Sequence, residues 1–139
     1  MDVLFLCNRN VIRSPMAAVL HNFFISGHLG GMAESAGITP GEPDPLSRAV
    51  LGEIGLAITE PPRSVDEVKL GRFDLIVALS PQAQHRALEL SRNLPTLVEF
   101  WHIADPSLSD GSREQLLAAY RAARDELLRK LKHRFPTST

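Results

Sequence analysis

The sequence predicts a three-layer α/β domain in which helices cover both faces of a central four-stranded parallel sheet. Two patterns lead to this prediction. Short apolar runs alternate with longer segments of helical periodicity, and clusters of turn residues separate them. Strands that alternate with helices are joined by parallel crossovers. A chain of 139 residues is long enough for one hydrophobic core, so we expect a single domain over residues 1–139.

The first strand and the first helix are predicted from a change of period near the N-terminus. Val3 to Leu6 is an apolar, partly branched run, which is typical of a strand buried on both faces of a sheet. Ser14 followed by Pro15 is typical of a helix start, with a side-chain cap and a proline at the first helical position. We therefore expect a helix that begins there and ends near Gly27.

The middle of the chain is predicted to contain two more strands and two more helices. A short strand is expected just before residues 35–37, and a helix over about residues 46–55, with Ile54 on its apolar side. The run LIVAL at residues 75–79 is the clearest strand of this region, and Pro81 opens the helix that follows it.

The last two elements are a strand and a long helix. Residues 97–101 are predicted to form the fourth strand, with Trp101 as a core anchor, and Ser112 to start the helix. Apolar residues in this helix recur at steps of three and four, as expected for one buried face. They are Leu116, Tyr120, Ala123, Leu127 and Leu131.

Charge and cysteine content restrict the functional class. Fifteen Lys and Arg against sixteen Asp and Glu give a net charge of −1 without blocks of one sign, so no nucleic-acid or membrane partner is expected. One cysteine cannot form an internal disulfide, and the sequence has no signal peptide pattern and no long apolar run, which favours a cytoplasmic location. The five histidines lack metal-ligand spacing, so we expect no metal and no cofactor.

Cys7 and Arg13 suggest chemistry at the end of the first strand, where an open parallel sheet binds its ligands. The loop between them precedes a helix N-terminus, so its N–H groups favour an anion, and Arg13 adds a fork suited to phosphate oxygens. These surroundings also stabilise a thiolate that can attack a phosphoryl group. Cys7 alone could equally be a buried core residue without a chemical role.

This segment resembles the low-molecular-weight protein tyrosine phosphatases and their arsenate reductase relatives. The signature of that family is Cys, five residues, Arg and Ser, and it stands here as Cys7-NRNVI-Arg13-Ser14. The resemblance covers essentially the whole chain. The other matching segments are Ser35-Ala36-Gly37, Asp74-Leu75-Ile76-Val77, Trp101 and Asp105-Pro106.

The resemblance implies a role for each residue of the motif. Cys7 would attack phosphorus, Arg13 would hold the phosphate oxygens, and Asp105 would act as general acid and then as general base. Ser14 would hydrogen-bond the sulfur, and Asn10 would brace the loop in a left-handed backbone conformation. Without the resemblance, Asp105 and Asn10 are typical turn residues and Ser14 a helix cap. The implied phosphate-binding residues are Asn8, Arg9, Asn10, Val11, Ile12, Arg13 and Ser14.

Some positions depart from the family pattern. Arg9 replaces a usual glycine, and a left-handed backbone at this residue would cost ~1–2 kcal/mol. Its side chain is either a second cation at the rim of the site or an incidental exposed charge. Ile12 replaces a second cysteine found in many members, and Ser80 replaces a cysteine of the arsenate reductase branch, which excludes an internal cysteine relay. Ser107 follows Asp105-Pro106 where an aromatic wall for phosphotyrosine would be expected.

These features lead to three hypotheses of function. The first is a metal-independent phosphomonoesterase of the protein tyrosine phosphatase type, which forms a cysteinyl phosphate from a phosphorylated protein or a small phosphomonoester. The second is an arsenate reductase that uses an external small thiol. The third is a phosphate- or phosphoprotein-binding module without turnover.

Overall fold

The centre of the molecule is a parallel sheet. The computed structural model describes residues 1–137, and its strands are β1 Val3–Cys7, β2 Ala33–Gly37, β3 Leu75–Ala78 and β4 Leu97–Phe100. Their order in the sheet is β2-β1-β3-β4, and all neighbouring strands are parallel. The prediction of a four-stranded parallel sheet is therefore confirmed.

Helices lie on both faces of the sheet. They are α1 Arg13–Phe24, α2 Ser26–Leu29, α3 Pro45–Gly52, α4 Pro81–Leu90 and α5 Arg113–Arg134. One core packs α1, α3 and α5 against the sheet, and a second core packs α4 and the short turns at 65–67 and 70–72 against the other face. The predicted three-layer arrangement is thus present. None of the helices in residues 1–137 is long and apolar enough to cross a membrane.

Strand β1 supplies both cores, which explains its unbroken apolar sequence. Val3, Phe5 and Cys7 belong to the core under α1 and α5, whereas Leu4 and Leu6 belong to the core under α4. The four apolar residues before Cys7 are fully buried. Burial of a large aliphatic or aromatic side chain stabilises a fold by roughly 1.5–3 kcal/mol, so this strand anchors the loop that leaves its carboxyl end.

Two predicted element boundaries were wrong. Strand β2 contains residues 35–37 instead of ending before them. Helix α3 ends at Gly52, and the chain then turns through Gly55, which has a φ of 77°. Because of this turn Ile54 lies outside the helix and is 40% exposed, although the helical spacing placed it on the apolar side.

The start of α1 also differs from the prediction. The helix begins at Arg13, the N-cap residue is Ile12, and no side chain caps it. Ser14 lies inside the first turn, where its hydroxyl is fully buried and bonded elsewhere. The expectation that Ser14 caps this helix was therefore wrong.

Helix α5 has the predicted start and nearly the predicted face. Ser112 caps it in a reciprocal pair with Gln115. Leu117 is buried in the core where the spacing predicted Leu116, which is only half-buried. Trp101 is buried, as predicted, and its ring lies 5.9 Å from that of Phe5.

Candidate active site

A cleft of about 370 Å³ opens beside the carboxyl ends of the central strands. Three chain segments form its walls: the loop that follows β1, the segment before α3, and the turn after β4. The lining residues are Cys7, Asn8, Arg9, Val11, Ile12, Arg13, Glu42, Pro43, Asp44, Pro45, Asp105, Ser107 and Leu108. Most of the predicted phosphate-binding residues and all three predicted catalytic residues thus line one cleft.

Cys7 lies at the bottom of this cleft. Its side chain is buried, and the Ser14 Oγ is 3.0 Å from its sulfur. The backbone N–H of Asn10 donates to the same sulfur at 3.3 Å. The amide donates to the sulfur, and the hydroxyl can donate to it when Cys7 is a thiolate, so both groups can stabilise negative charge on that atom. The Ser14–Cys7 hydrogen bond that the resemblance implied is present.

Asn10 connects the loop to two neighbouring segments. Its Nδ2 donates to Ser14 Oγ at 2.8 Å and to Ser35 Oγ at 2.9 Å, and its Oδ1 accepts the backbone N–H of Arg63 at 3.0 Å. Its φ is 57°, a left-handed conformation that asparagine adopts more readily than most residues. The side chain therefore fixes the loop conformation from inside.

Arg9 carries none of the backbone strain that a left-handed conformation would have caused. In residues 1–137 the only non-glycine residue with a positive φ is Asn10, so Arg9 has an ordinary backbone conformation. The exposed side chain of Arg9 lies across Gly41, where an added Cβ would come within 2.6 Å of its Nε. Glycine at 41 therefore leaves room for the guanidinium.

Arg13 is held by two backbone carbonyls. Its Nη1 donates to Ile103 O at 3.0 Å and to Leu79 O at 3.5 Å. Its Nη2 lies 3.9 Å from Asp105 Oδ2, and the side chain is nearly buried. The remaining guanidinium N–H groups have no acceptor within residues 1–137, so they are available to an anion in the cleft.

Asp105 presents one oxygen to the cleft. Its Oδ1 accepts the backbone N–H of Ser107 at 2.9 Å and the Ser107 hydroxyl at 2.7 Å. Its Oδ2 makes no hydrogen bond within the described part of the chain and is the oxygen that faces Arg13. The side chain is 27% exposed, so that oxygen can exchange a proton with a ligand or with water.

The loop amides form the remaining donors. Among the residues that the structure describes, the backbone N–H groups of Asn8, Arg9, Val11 and Ile12 have no hydrogen-bond acceptor. Unpaired amides beside a helix N-terminus bind anions. The loop can therefore donate to several oxygens of one tetrahedral anion.

Sequence reasoning missed the role of Asp44 in the wall of the cleft. Its Oδ1 accepts the backbone N–H groups of Leu46 and Ser47 and so caps α3. Its Oδ2 accepts the Tyr120 hydroxyl at 2.9 Å. Burial, and then this hydrogen bond, raise the pKa of Tyr120 above its usual value. An aspartate before a proline signals a cap in the sequence, but nothing there indicates its contact with Tyr120.

Ser80 lies beside the loop between Cys7 and Arg13. Its hydroxyl donates to Asn8 Oδ1 at 2.6 Å and also caps α4 by accepting the N–H of Ala83. Ser80 therefore connects the loop to the start of α4 by hydrogen bonds. Cys7 is the one cysteine of the sequence. Within residues 1–137 no group of three or more histidine, cysteine or acidic side chains is arranged to hold a metal ion.

Comparisons with known proteins agree with this geometry. The chain resembles an arsenate reductase from Archaeoglobus fulgidus, with 33% identity, a TM-score of 0.75, and coverage of 96% of this chain and 98% of that one. An arsenate reductase of Halalkalibacterium halodurans is 28% identical over 131 residues, 94% of this chain and 91% of that protein. A low molecular weight protein tyrosine phosphatase from T. tengcongensis has 26% identity and a TM-score of 0.75, with 95% of each chain covered.

The family itself is identified by a match over nearly the whole chain. The model of the family described as low molecular weight phosphotyrosine protein phosphatase matches residues 2–136. That range includes β1, the loop with Cys7 and Arg13, and the turn with Asp105. This chain therefore belongs to the low molecular weight phosphotyrosine protein phosphatase family.

Proposed function

We propose that this protein is a metal-independent phosphomonoesterase that works through a cysteinyl-phosphate intermediate. One observation carries the proposal: a thiol, an arginine and a carboxylate face the same cleft, with Asp105 Oδ2 3.9 Å from Arg13 Nη2 and Cys7 at the bottom. A site that only binds phosphate has no use for a proton donor. The presence of Asp105 therefore favours turnover over binding alone.

In the first step, the loop amides and Arg13 hold the phosphate oxygens while the Cys7 sulfur attacks phosphorus. The S–P bond forms, the P–O bond to the leaving group breaks, and Asp105 donates a proton to the departing oxygen. Arg13 is held in position by its hydrogen bond to Ile103 O. Preorganised donors stabilise the charge of the transition state.

In the second step, water attacks the phosphorus of the intermediate. Asp105 accepts the proton of the water, the S–P bond breaks, and the electron pair returns to the sulfur as a thiolate. The hydroxyl of Ser14 and the N–H of Asn10 lie next to that sulfur and stabilise it as a leaving group. Inorganic phosphate then leaves the cleft.

The substrate class follows from the walls of the cleft. No aromatic residue lines it within the described part of the chain, so a phosphotyrosine ring would have no stacking partner. We therefore propose a phosphorylated protein or a small phosphomonoester without a strict requirement for an aromatic ring. The reduced thiol that this chemistry needs fits the cytoplasm.

The direct test is hydrolysis of para-nitrophenyl phosphate at mildly acidic pH in the presence of a chelator and a thiol reductant. We expect turnover by the native protein and none by Cys7→Ser. Mass spectrometry of Asp105→Asn after rapid acid quenching should show phosphate on Cys7, because this variant lacks the base for the second step. A folded, reduced native protein that releases no phosphate would refute the proposal.

Arsenate reduction is a second candidate, since two relatives of 33% and 28% identity are named arsenate reductases. Arsenate would bind as phosphate does and form an S–As bond with Cys7, with loss of water. An external thiol would then attack the Cys7 sulfur, giving a mixed disulfide and arsenite; the two thiols supply the two electrons. The test is arsenite production that depends on added thiol, and its absence would exclude this candidate.

A further inference from the structure

Arg9 is a cation of the cleft that the proposed reaction does not use. Its side chain is exposed and lines the cleft together with Cys7 and Arg13. No carboxylate oxygen within residues 1–137 lies within 4.0 Å of its guanidinium, whereas Arg13 has Asp105 at 3.9 Å. Its charge is therefore available to a ligand.

The guanidinium of Arg9 lies over Gly41 at the rim of the cleft. The backbone carbonyl of Arg9 accepts the N–H of Gly41 at 2.9 Å, which fixes the loop against the segment before α3. The side chain then lies on Gly41, and a Cβ at that position would come 2.6 Å from Nε and 2.8 Å from Nη2. The absence of a side chain at residue 41 thus allows Arg9 to lie along the rim.

Two carboxylates near the rim, Asp44 and Glu42, differ in how far they can compete for the positive charge of Arg9. Both oxygens of Asp44 accept hydrogen bonds, from the α3 amides and from Tyr120. Glu42 also lines the cleft and makes no hydrogen bond or ion pair within the described part of the chain. Asp105 faces Arg13, so Glu42 is the carboxylate of the cleft that neither a hydrogen bond nor an arginine within 4.0 Å occupies, and its charge can compete with a ligand anion for Arg9.

We propose that Arg9 is a specificity-determining residue that selects phosphomonoesters carrying a second negative group, such as a carboxylate, beside the phosphate. This proposal rests on the proposed phosphatase activity. The phosphate occupies the loop and Arg13, and the second anion contacts Arg9 at the rim. Arg9 lines the same cleft as Cys7 and Arg13, so both anionic groups can belong to one small ligand or to one acidic phosphopeptide segment.

The test compares phenyl phosphates that differ only in their meta substituent: a carboxylate, a carboxamide of the same shape, and an aminomethyl group. Phosphate release gives kcat/KM for each. For the native protein we expect the carboxylate to be preferred over the carboxamide by about two- to fivefold, as for an exposed ion pair, and the aminomethyl compound to be the poorest. The preference should decrease with salt because exposed charges are screened.

Variants of three residues separate the effect of Arg9 from other effects. Arg9→Ala should bring the carboxylate-to-carboxamide ratio to about one, and Arg9→Lys should keep part of the preference. Gly41→Ala leaves the charge in place but displaces the guanidinium, so it should also lower the ratio. Glu42→Gln should raise the ratio because it removes the competing carboxylate.

The affinities of two benzylphosphonates, with meta carboxylate and meta carboxamide groups, provide a readout that needs no turnover. Calorimetry with the native protein should show the same preference, again lost in Arg9→Ala. If no phosphate is released from any ester while the affinities keep this preference, the phosphatase proposal fails and the role of Arg9 stands. A native ratio of one or less, or an unchanged ratio in Arg9→Ala, overturns the role of Arg9.

Discussion

Substitution of Asn10 by alanine should lower the free energy of unfolding by about 2.5–6.5 kcal/mol, the sum of its lost hydrogen bonds and of the backbone strain that alanine adds. The buried side chain makes three hydrogen bonds, to Ser14, Ser35 and the backbone of Arg63. Each contributes ~0.5–1.5 kcal/mol net. The φ of 57° adds ~1–2 kcal/mol for alanine, because a Cβ is crowded in the left-handed region.

Two further variants divide this loss into its parts. Asn10→Gly loses the same hydrogen bonds but tolerates the positive φ, so it should be more stable than Asn10→Ala by ~1 kcal/mol. Asn22→Ala is the matched control. The Asn22 side chain lies near the C-terminal end of α1 and forms hydrogen bonds with both the N–H and the carbonyl of Ala33. Asn22→Ala should therefore lower the free energy of unfolding by about 1–2 kcal/mol and leave turnover unchanged.

The assay is urea unfolding followed by circular dichroism, together with kcat for para-nitrophenyl phosphate. Equal m-values among the variants show that the same surface unfolds in each. Asn10→Ala should also lower kcat, since the loop places the Asn10 N–H and Ser14 next to the Cys7 sulfur. An Asn10→Gly protein that is less stable than Asn10→Ala would refute the strain argument, and an unchanged kcat would refute the role of Asn10 in the loop.

Three other side chains give predictions for stability and catalysis. Burial lowers the pKa of His21 below its usual 6.5 in the folded protein. As the pH falls below 6.5, the unfolded chain therefore binds a proton at His21 before the folded protein does, and the free energy of unfolding should decrease. His21→Gln should remove this pH dependence, measured by urea titrations at several pH values. Tyr120→Phe should lose about 1–3 kcal/mol in thermal unfolding, because it breaks the bond to Asp44; no loss would contradict this role. Asp105→Asn should slow phenyl phosphate hydrolysis by about 10²–10⁴-fold and para-nitrophenyl phosphate less, since the better leaving group needs less proton donation; equal losses would argue against a general acid.

The central part of the fold could be predicted because a strand buried on both faces consists of consecutive apolar residues, a pattern visible within a few positions of the sequence. Every residue of β1 from Val3 to Leu6 must be apolar, since each packs into one of two cores. Period and turn residues likewise indicated β3 and the capped start of α5. The loop that joins Cys7 to Arg13 was predicted to lie at the carboxyl end of β1, and it does.

Other features depend on contacts between residues that are distant in the sequence, and no pattern of neighbouring residues indicates them. A serine before a proline looks the same whether it caps a helix or, as here, lies buried with its hydroxyl 3.0 Å from a sulfur and 3.3 Å from the carbonyl oxygen of Ala36. Leu117, and not the predicted Leu116, is the buried residue near the start of α5. The helical spacing of apolar residues alone does not distinguish two adjacent leucines. The bond between Tyr120 and Asp44 joins residues 76 positions apart, which only the folded chain shows.

The same long-range contacts determine when the cleft can form during folding. The Arg13–Ile103 hydrogen bond spans 90 residues and the Asn10–Ser35 bond spans 25, so the walls meet only after β2, β3 and the turn beyond β4 have come together. Contacts between distant residues carry a large loop-closure cost and tend to form slowly. Regain of catalysis after dilution from denaturant should therefore coincide with the last kinetic phase of refolding. A chain that stops before residue 103 would contain every residue of the loop from Cys7 to Arg13 but lack the carbonyl that holds Arg13.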